Sequence, residues 1–178
     1  MIYLTQIKAS MRKCILIILF SVLSSISYGQ IKSDSGFHYL KSIQLEVGGH
    51  GLLYSFVYER FIVNGTVFKT SSQLGLSAFP LSNQIFLLAP LSINELFSFS
   101  AHHLEIGLGF IPVKAGNISN GKIYYWNTHY WYSFKMGYRY QKPDSKFLFR
   151  IDFTPIKEMN LSSKDIFLSG GIAVGYCF

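Results

Sequence analysis

From Lys41 onward, hydrophobic and polar residues alternate with a period of two, the mark of strands whose successive side chains point to opposite faces. His103–Pro112 shows it most cleanly. Leu104, Ile106, Leu108 and Phe110 fall on one face, and His103, Glu105, Gly107 and Gly109 fall on the other. Ser42–Gly48 repeats the pattern, with Ile43, Leu45 and Val47 against Gln44 and Glu46. In Phe147–Pro155, Phe147, Phe149, Ile151 and Phe153 oppose Arg150, Asp152 and Thr154. The last segment sets Ile172, Val174, Tyr176 and Phe178 against Gly171, Ala173, Gly175 and Cys177. Leu52–Ile62 and Val67–Phe79 are joined by a turn around Asn64-Gly65. Gln84–Ile93 follows, with a bulge or kink predicted at Pro90. Asn127–Gln141 carries Tyr130, Tyr132, Phe134, Met136, Tyr138 and Tyr140 on one face; His129, Ser133, Lys135, Gly137 and Arg139 share the other with Trp131. Past Gln30 no stretch keeps helical spacing. The pattern predicts an all-β chain of about eight strands, each near the ~9–11 residues that a tilted strand needs to cross a bilayer.

Alternation alone also fits a soluble sandwich or a lipocalin-type barrel. Composition separates the cases. Hydrophobic residues make up 49% of the chain, aromatics 17% and charged residues only 14%, against roughly 25% charged in a soluble domain. A water-soluble barrel would need a charge-rich exterior that this chain cannot supply. Turning the apolar face to lipid resolves the mismatch, giving a single closed, antiparallel, up-and-down transmembrane β-barrel. The other face then lines the lumen. Its charged members are Glu46, Glu59, Lys69, Glu105, Lys135, Arg139, Arg150 and Asp152, acids and bases in equal number. A barrel of about eight strands is just wide enough to be filled by side chains, and charges buried there must pair. The expectation is a closed, ion-paired plug.

The N-terminus carries a different signal. Arg12 and Lys13 precede the apolar run Ile15–Phe20, which leads into the small residues Ser24–Gly29. That order predicts a secretory signal peptide over residues 1–29, cut after Gly29, with Met11 an alternative start. Residues 30–39 are then a short periplasmic segment and 40–178 the barrel domain. Removing the signal removes Lys8, Arg12 and Lys13 and no acid, so the formal charge of +7 falls by these three. The remainder is too small and dispersed to argue nucleic-acid binding. Cys14 leaves with the signal, so Cys177 has no internal disulfide partner.

An even number of strands puts both ends of the barrel on the periplasmic side. The turns expected there are Val63–Thr66, Asn94–Ala101 and Lys142–Lys146; the outward loops are His50 with its flanking glycines, Pro80–Asn83, Val113–Tyr125 and Lys157–Asp165. Tyr138, Tyr140, Phe147 and Tyr176 would form one aromatic girdle, and Tyr124, Tyr125 and Trp126 the other. The segment Gly171-Ile-Ala-Val-Gly-Tyr-Cys-Phe178 resembles the terminal strand by which outer-membrane barrels are recognised for assembly. Tyr176 and Phe178 stand at the signature positions, and Ala173 departs from the usual glycine. From Lys41 onward the chain resembles small outer-membrane β-barrel proteins of the OmpA/OmpX-like kind, a look carried also by Gly137-Tyr-Arg-Tyr-Gln141 and His102–Gly109. The resemblance implies a bacterial outer-membrane location, contact with outer-membrane lipid and lipopolysaccharide, insertion by the barrel assembly machinery, and a monomer. It implies no activity.

Candidate chemistry is sparse. His102 and His103 are adjacent on a strand, point to opposite faces, and so cannot readily hold one metal ion. His129 and Ser133 share a face, as a lipid hydrolase would need, but lie roughly 13 Å apart along a strand. The carboxylates Glu46, Glu59, Glu105 and Asp152 are better read as structural ion pairs than as an acid–base set. Asn64-Gly-Thr and Asn160-Leu-Ser are turn sequences rather than glycosylation sites in such a barrel. No catalytic, cofactor-binding or metal site is assigned, and no cofactor is implied. The expected function is a structural or surface-interaction protein with a plugged lumen. The alternatives are a lipid-modifying barrel enzyme of the lipid A deacylase kind, a narrow passive channel, and a soluble lipocalin-like carrier.

Overall fold

The structure, a computed structural model, describes residues 36–119, 122–159 and 166–178. The barrel lies within the unit Asp34–Phe178. The segment read as an export signal, and residues 30–35 after it, lie outside the described residues.

Among the described residues the strands are β1 (Lys41–Gly48), β2 (Tyr54–Asn64), β3 (Phe68–Leu81), β4 (Gln84–Leu88), β5 (Leu91–Phe99), β6 (His102–Ser119), β7 (Lys122–Tyr140), β8 (Phe147–Glu158) and β9 (Phe167–Cys177). All pairings are antiparallel. β4 and β5 both lie between β3 and β6, and are two halves of one stave interrupted at Ala89-Pro90. The interruption follows from Pro90, which has no N–H for a ladder; its carbonyl accepts from the Gly75 N–H at 2.7 Å. Eight staves result, and β1 closes the sheet by pairing β2 on one side and β9 on the other. No helix among the described residues is long and apolar enough to cross a membrane.

The outer wall carries the faces that the alternation made apolar. Ile43, Leu45, Val47, Phe56, Leu76, Ile93, Leu104, Leu108, Phe134, Met136, Phe149, Ile151, Ile172 and Val174 all stand exposed on it. A monomeric soluble surface does not carry so continuous an apolar band, whereas lipid requires one. Arg60 and Glu95 are outward exceptions, and Thr70 donates to Glu95 at 2.7 Å. At the end holding residues 36 and 178, Phe68 pairs with Phe97, His102 with Tyr140, and Phe147 with Tyr176. Toward the far end Phe110 stacks on Tyr130, and Tyr125 and Trp126 are exposed.

Several expected loop boundaries are corrected. Asn94–Ala101 is not a turn: β5 pairs with β6 as far as Phe99↔His102, and only Ser100 and Ala101 connect them. Asn94 reads as a turn residue in sequence because it is polar, but here it faces a polar interior. Val113–Tyr125 is not a loop either. Pairing continues from Val113↔His129 to Ile118↔Ile123, so β6 and β7 form a long hairpin. Pro80 and Leu81 belong to β3, leaving Ser82 and Asn83 as the turn. Lys157 and Glu158 belong to β8.

The turn at His50 departs most from expectation. Gly48 and Gly49 have φ of 79° and 59°, and a 3-10 turn over Gly49–Gly51 follows. Glycine is needed here for space as well as conformation, since a Cβ on Gly48 would lie 2.0 Å from the Gly170 carbonyl oxygen. The doublet folds the connection into the barrel, so Gly49, His50 and Gly51 are buried instead of forming an outward loop. Ser169 and Ser77 donate to the carbonyls of Gly49 and Gly51, each at 3.1 Å, and pin the turn in place.

Candidate functional site: a layered lumen

Period two brings every second side chain of each strand into the interior, so depth along the axis sets its neighbours. Three layers result. At the end holding residues 36 and 178, Phe37, Phe61 and Leu96 form a buried apolar cluster. Phe37 enters the lumen because Asn64 grips its backbone: the Phe37 N–H donates to Asn64 Oδ1 and Asn64 Nδ2 donates to the Phe37 carbonyl, both at 2.9 Å. Its ring lies 5.0 Å from those of Phe61 and His103.

The charged layer is next. Glu59 accepts from Ser42, Gln44, Ser71 and Gln73 at 3.0, 2.8, 2.8 and 2.9 Å. Arg139 meets the same carboxylate through both terminal nitrogens. Glu105 lies 2.8 Å from Lys135 and 3.8 Å from both Arg139 and Arg150. Arg150 reaches Asp152 at 3.1 Å and Glu46 at 3.5 Å. Glu46 also accepts from Ser55, and Asp152 from Thr154. Acids and bases from five strands are thus joined into one network, with the side chains of Glu59, Glu105, Lys135, Arg139, Arg150 and Asp152 wholly unexposed. Of the eight charges assigned to the lumen, seven meet in this network. Lys69 stands apart. It is buried, but it donates to the Thr66 carbonyl and Ser98 Oγ, with its ammonium 4.9 Å from the centre of the Phe37 ring.

Beyond the inward turn at His50 the lining becomes apolar. Phe79, Leu88, Ile111, Val113 and Ile156 are buried together, with Leu52, Phe86 and Trp131 packed against them. Above them lies a cavity of about 460 Å³, whose lining includes Leu52, Phe79, Phe86, Trp131, Ile156 and Glu158. The expectation of a polar interior therefore fails at the far end. Its sequence sign was Trp131 on the polar face of β7, together with Ile111 and Val113, which share the parity of Glu105.

His102 is exposed and His103 buried, on opposite faces as adjacent strand residues must be. His129 and Ser133 have different settings. His129 Nδ1 lies 2.7 Å from Glu158 Oε1 at the far end, whereas Ser133 is buried and its hydroxyl has no hydrogen-bond partner among the described residues, His129 included. The histidine beside Ser133 is His50, which sequence spacing did not suggest. A Cβ on Gly109 would lie 2.4 Å from Ser133 Oγ and 3.1 Å from His50 Nε2. Both groups are enclosed by the barrel and turned from lipid. Asn160 lies outside the described residues.

The fold is that of a small, eight-stave transmembrane β-barrel. Among solved structures, the chain is similar to the N-terminal β-barrel domain of Pseudomonas aeruginosa OprF, with 14% identity, coverage of 80% of this chain and 99% of that one, and a TM-score of 0.60. It is also similar to Neisserial surface protein A, with 12% identity, coverage of 79% and 96%, and a TM-score of 0.49. No family model and no curated protein matches the chain. The likeness concerns the fold.

Proposed function

We propose that the chain is an integral protein of the bacterial outer membrane, exported by its N-terminal signal. In this reading it is a monomeric barrel with a closed lumen and a structural or surface-interaction role. Outer-membrane lipid and lipopolysaccharide surround it, and Tyr176 and Phe178 serve as its assembly signal. No catalytic residue is assigned. One observation carries the closed lumen: the charged network lies between the apolar cluster at Phe37 and the inward turn at His50, with six of its side chains wholly unexposed. Ions moving along the axis would have to break pairs that nothing else compensates.

Membrane fractionation with heat-modifiable gel migration tests the location and the barrel together. The protein is expected to extract only with detergent and to migrate differently unheated. Planar-bilayer recording tests the plug. No steady conductance is expected, and a steady conductance from the purified protein would overturn the closed lumen.

A further inference from the structure

The interruption at Ala89-Pro90 marks the outer wall as well as the ladder. Where the stave changes from β4 to β5, Ala89 is the outward residue between Leu87 and Leu91. Its N–H donates to the carbonyl of Pro112 on β6, and Ala78 on β3 is the partner of Leu87. Three compact side chains on adjacent staves thus dent a wall otherwise faced by large ones. The dent is a groove of about 660 Å³, open on the lipid side.

The rims of the groove are aromatic. On one side stand Tyr54 and Phe56 of β2. The ladder between β2 and β3 starts only at Phe56↔Leu76, and beside that end the Tyr54 hydroxyl donates to the Ala78 carbonyl, which holds its ring against the wall. On the other side Tyr130 of β7 is the direct partner of Pro112 and stacks on Phe110.

Toward the far end the groove meets polar groups. Lys114 and Thr128 both line it, both are exposed, and they are direct cross-strand partners on the outward face of β6 and β7. From Leu104 through Ile106, Leu108 and Phe110 to Pro112, the outward face of β6 carries no charge; Lys114 is the next outward position. The ammonium therefore stands just past the apolar band, at headgroup depth. An ammonium offers three donors and no acceptor, and the hydroxyl adds a further donor. Hydrocarbon suits the groove, and an oxyanion suits its upper end. A zwitterionic head brings a cation along with its phosphate, and Lys114 repels that cation.

We propose that this groove holds an anionic, phosphorylated membrane lipid: an acyl chain lies over Ala78, Ala89 and Pro112 between the aromatic rims, and the phosphate sits on Lys114 Nζ and Thr128 Oγ1. The assignment rests on the proposed outer-membrane location, which brings lipid to this wall. Detergent extraction tests that location, while selection among lipids is read inside a bilayer, so the two can fail separately.

The chain has two tryptophans, Trp126 and Trp131. In W131F the remaining Trp126 is exposed and shares the outward face of β7 with Thr128. The full W131F protein is reconstituted in phosphatidylcholine vesicles with rising fractions of phosphatidic acid brominated near the head of one chain. A parallel series uses phosphatidylcholine brominated at the same place. Quenching of Trp126 by the phosphatidic acid should saturate early, with about a fivefold preference over phosphatidylcholine, the scale of one interfacial lysine. K114Q in this background should remove most of that preference. A89F should remove it too, with Lys114 intact, because a ring fills the groove. A78L, a milder filling on the neighbouring stave, should act the same way. Both added side chains point to lipid, so unchanged heat-modifiable migration should show the barrel intact. Equal quenching by the two lipids would overturn the proposal. So would a preference that survives both fillings, since it would then belong to any lipid passing Lys114.

Discussion

Two regions of the lumen, built from the same strands, differ in how their parts depend on one another. On β6, Glu105 and Ile111 point into the same interior; on β8, so do Arg150 and Ile156. The charged half is one coupled unit, because Glu105 faces Lys135, Arg139 and Arg150 together and Arg150 faces three acids. The apolar half is a set of additive contacts beside open space. A buried charge depends on the specific partner that compensates it, whereas a buried methyl group needs only a neighbour. The two halves should therefore answer mutation differently.

The sharpest test removes one charge. Arg139→Ala leaves Glu59 and its four neutral donors without their cation, and should cost about 3–5 kcal/mol of unfolding free energy, read by urea titration in lipid vesicles. Replacing both Arg139 and Glu59 by Met removes the ion pair but leaves the donors on Ser42, Gln44, Ser71 and Gln73 without their acceptor, so it should recover only part of that loss. A double variant as unstable as Arg139→Ala would show that the pair is not the source of the effect.

In the apolar half, Ile111→Ala should cost about 2–4 kcal/mol, the usual range for a core truncation. Combined with Arg139→Ala it should add to within about 0.5 kcal/mol, as separate sites do. Strong non-additivity would mean that the two halves are one unit after all.

Glycines give a smaller and purely steric contrast. A Cβ on Gly137 would lie 2.6 Å from the Ile151 carbonyl oxygen and 2.7 Å from Asp152 Cβ. Gly137→Ala should then cost about 1–3 kcal/mol by overpacking. At Gly170 the nearest atom is 3.6 Å away, and Gly170→Ala should be neutral or mildly stabilising by the same titration.

Lys69 should give the smallest effect. It lies outside the ion-pair network, bonded to one carbonyl and one hydroxyl. Lys69→Met should change stability by less than about 1 kcal/mol, since a packed apolar replacement removes the burial of a charge. A loss as large as that of Arg139→Ala would place Lys69 in the coupled unit.

Read from the chain alone, the outer wall was fully legible. Lipid imposes one rule on the outward positions from Ile43 to Val174, Arg60 and Glu95 excepted, and period two records that rule directly in the sequence. The lumen residues were legible by the same parity, and all eight assigned charges lie buried inside. What parity could not give was depth. Whether Lys69 reaches an acid, and where Ile111 and Trp131 turn the lining apolar, depends on stagger between staves, which no single strand encodes. The inward fold of Gly48–Gly51 was equally hidden, because two glycines permit a turn in either direction. Only the closed barrel, with Ser77 and Ser169 waiting inside, decided which way His50 would go. The sequence by itself determined which side of each strand meets hydrocarbon; the tertiary structure alone decided which interior groups meet each other, since those encounters run across the axis and not along the chain.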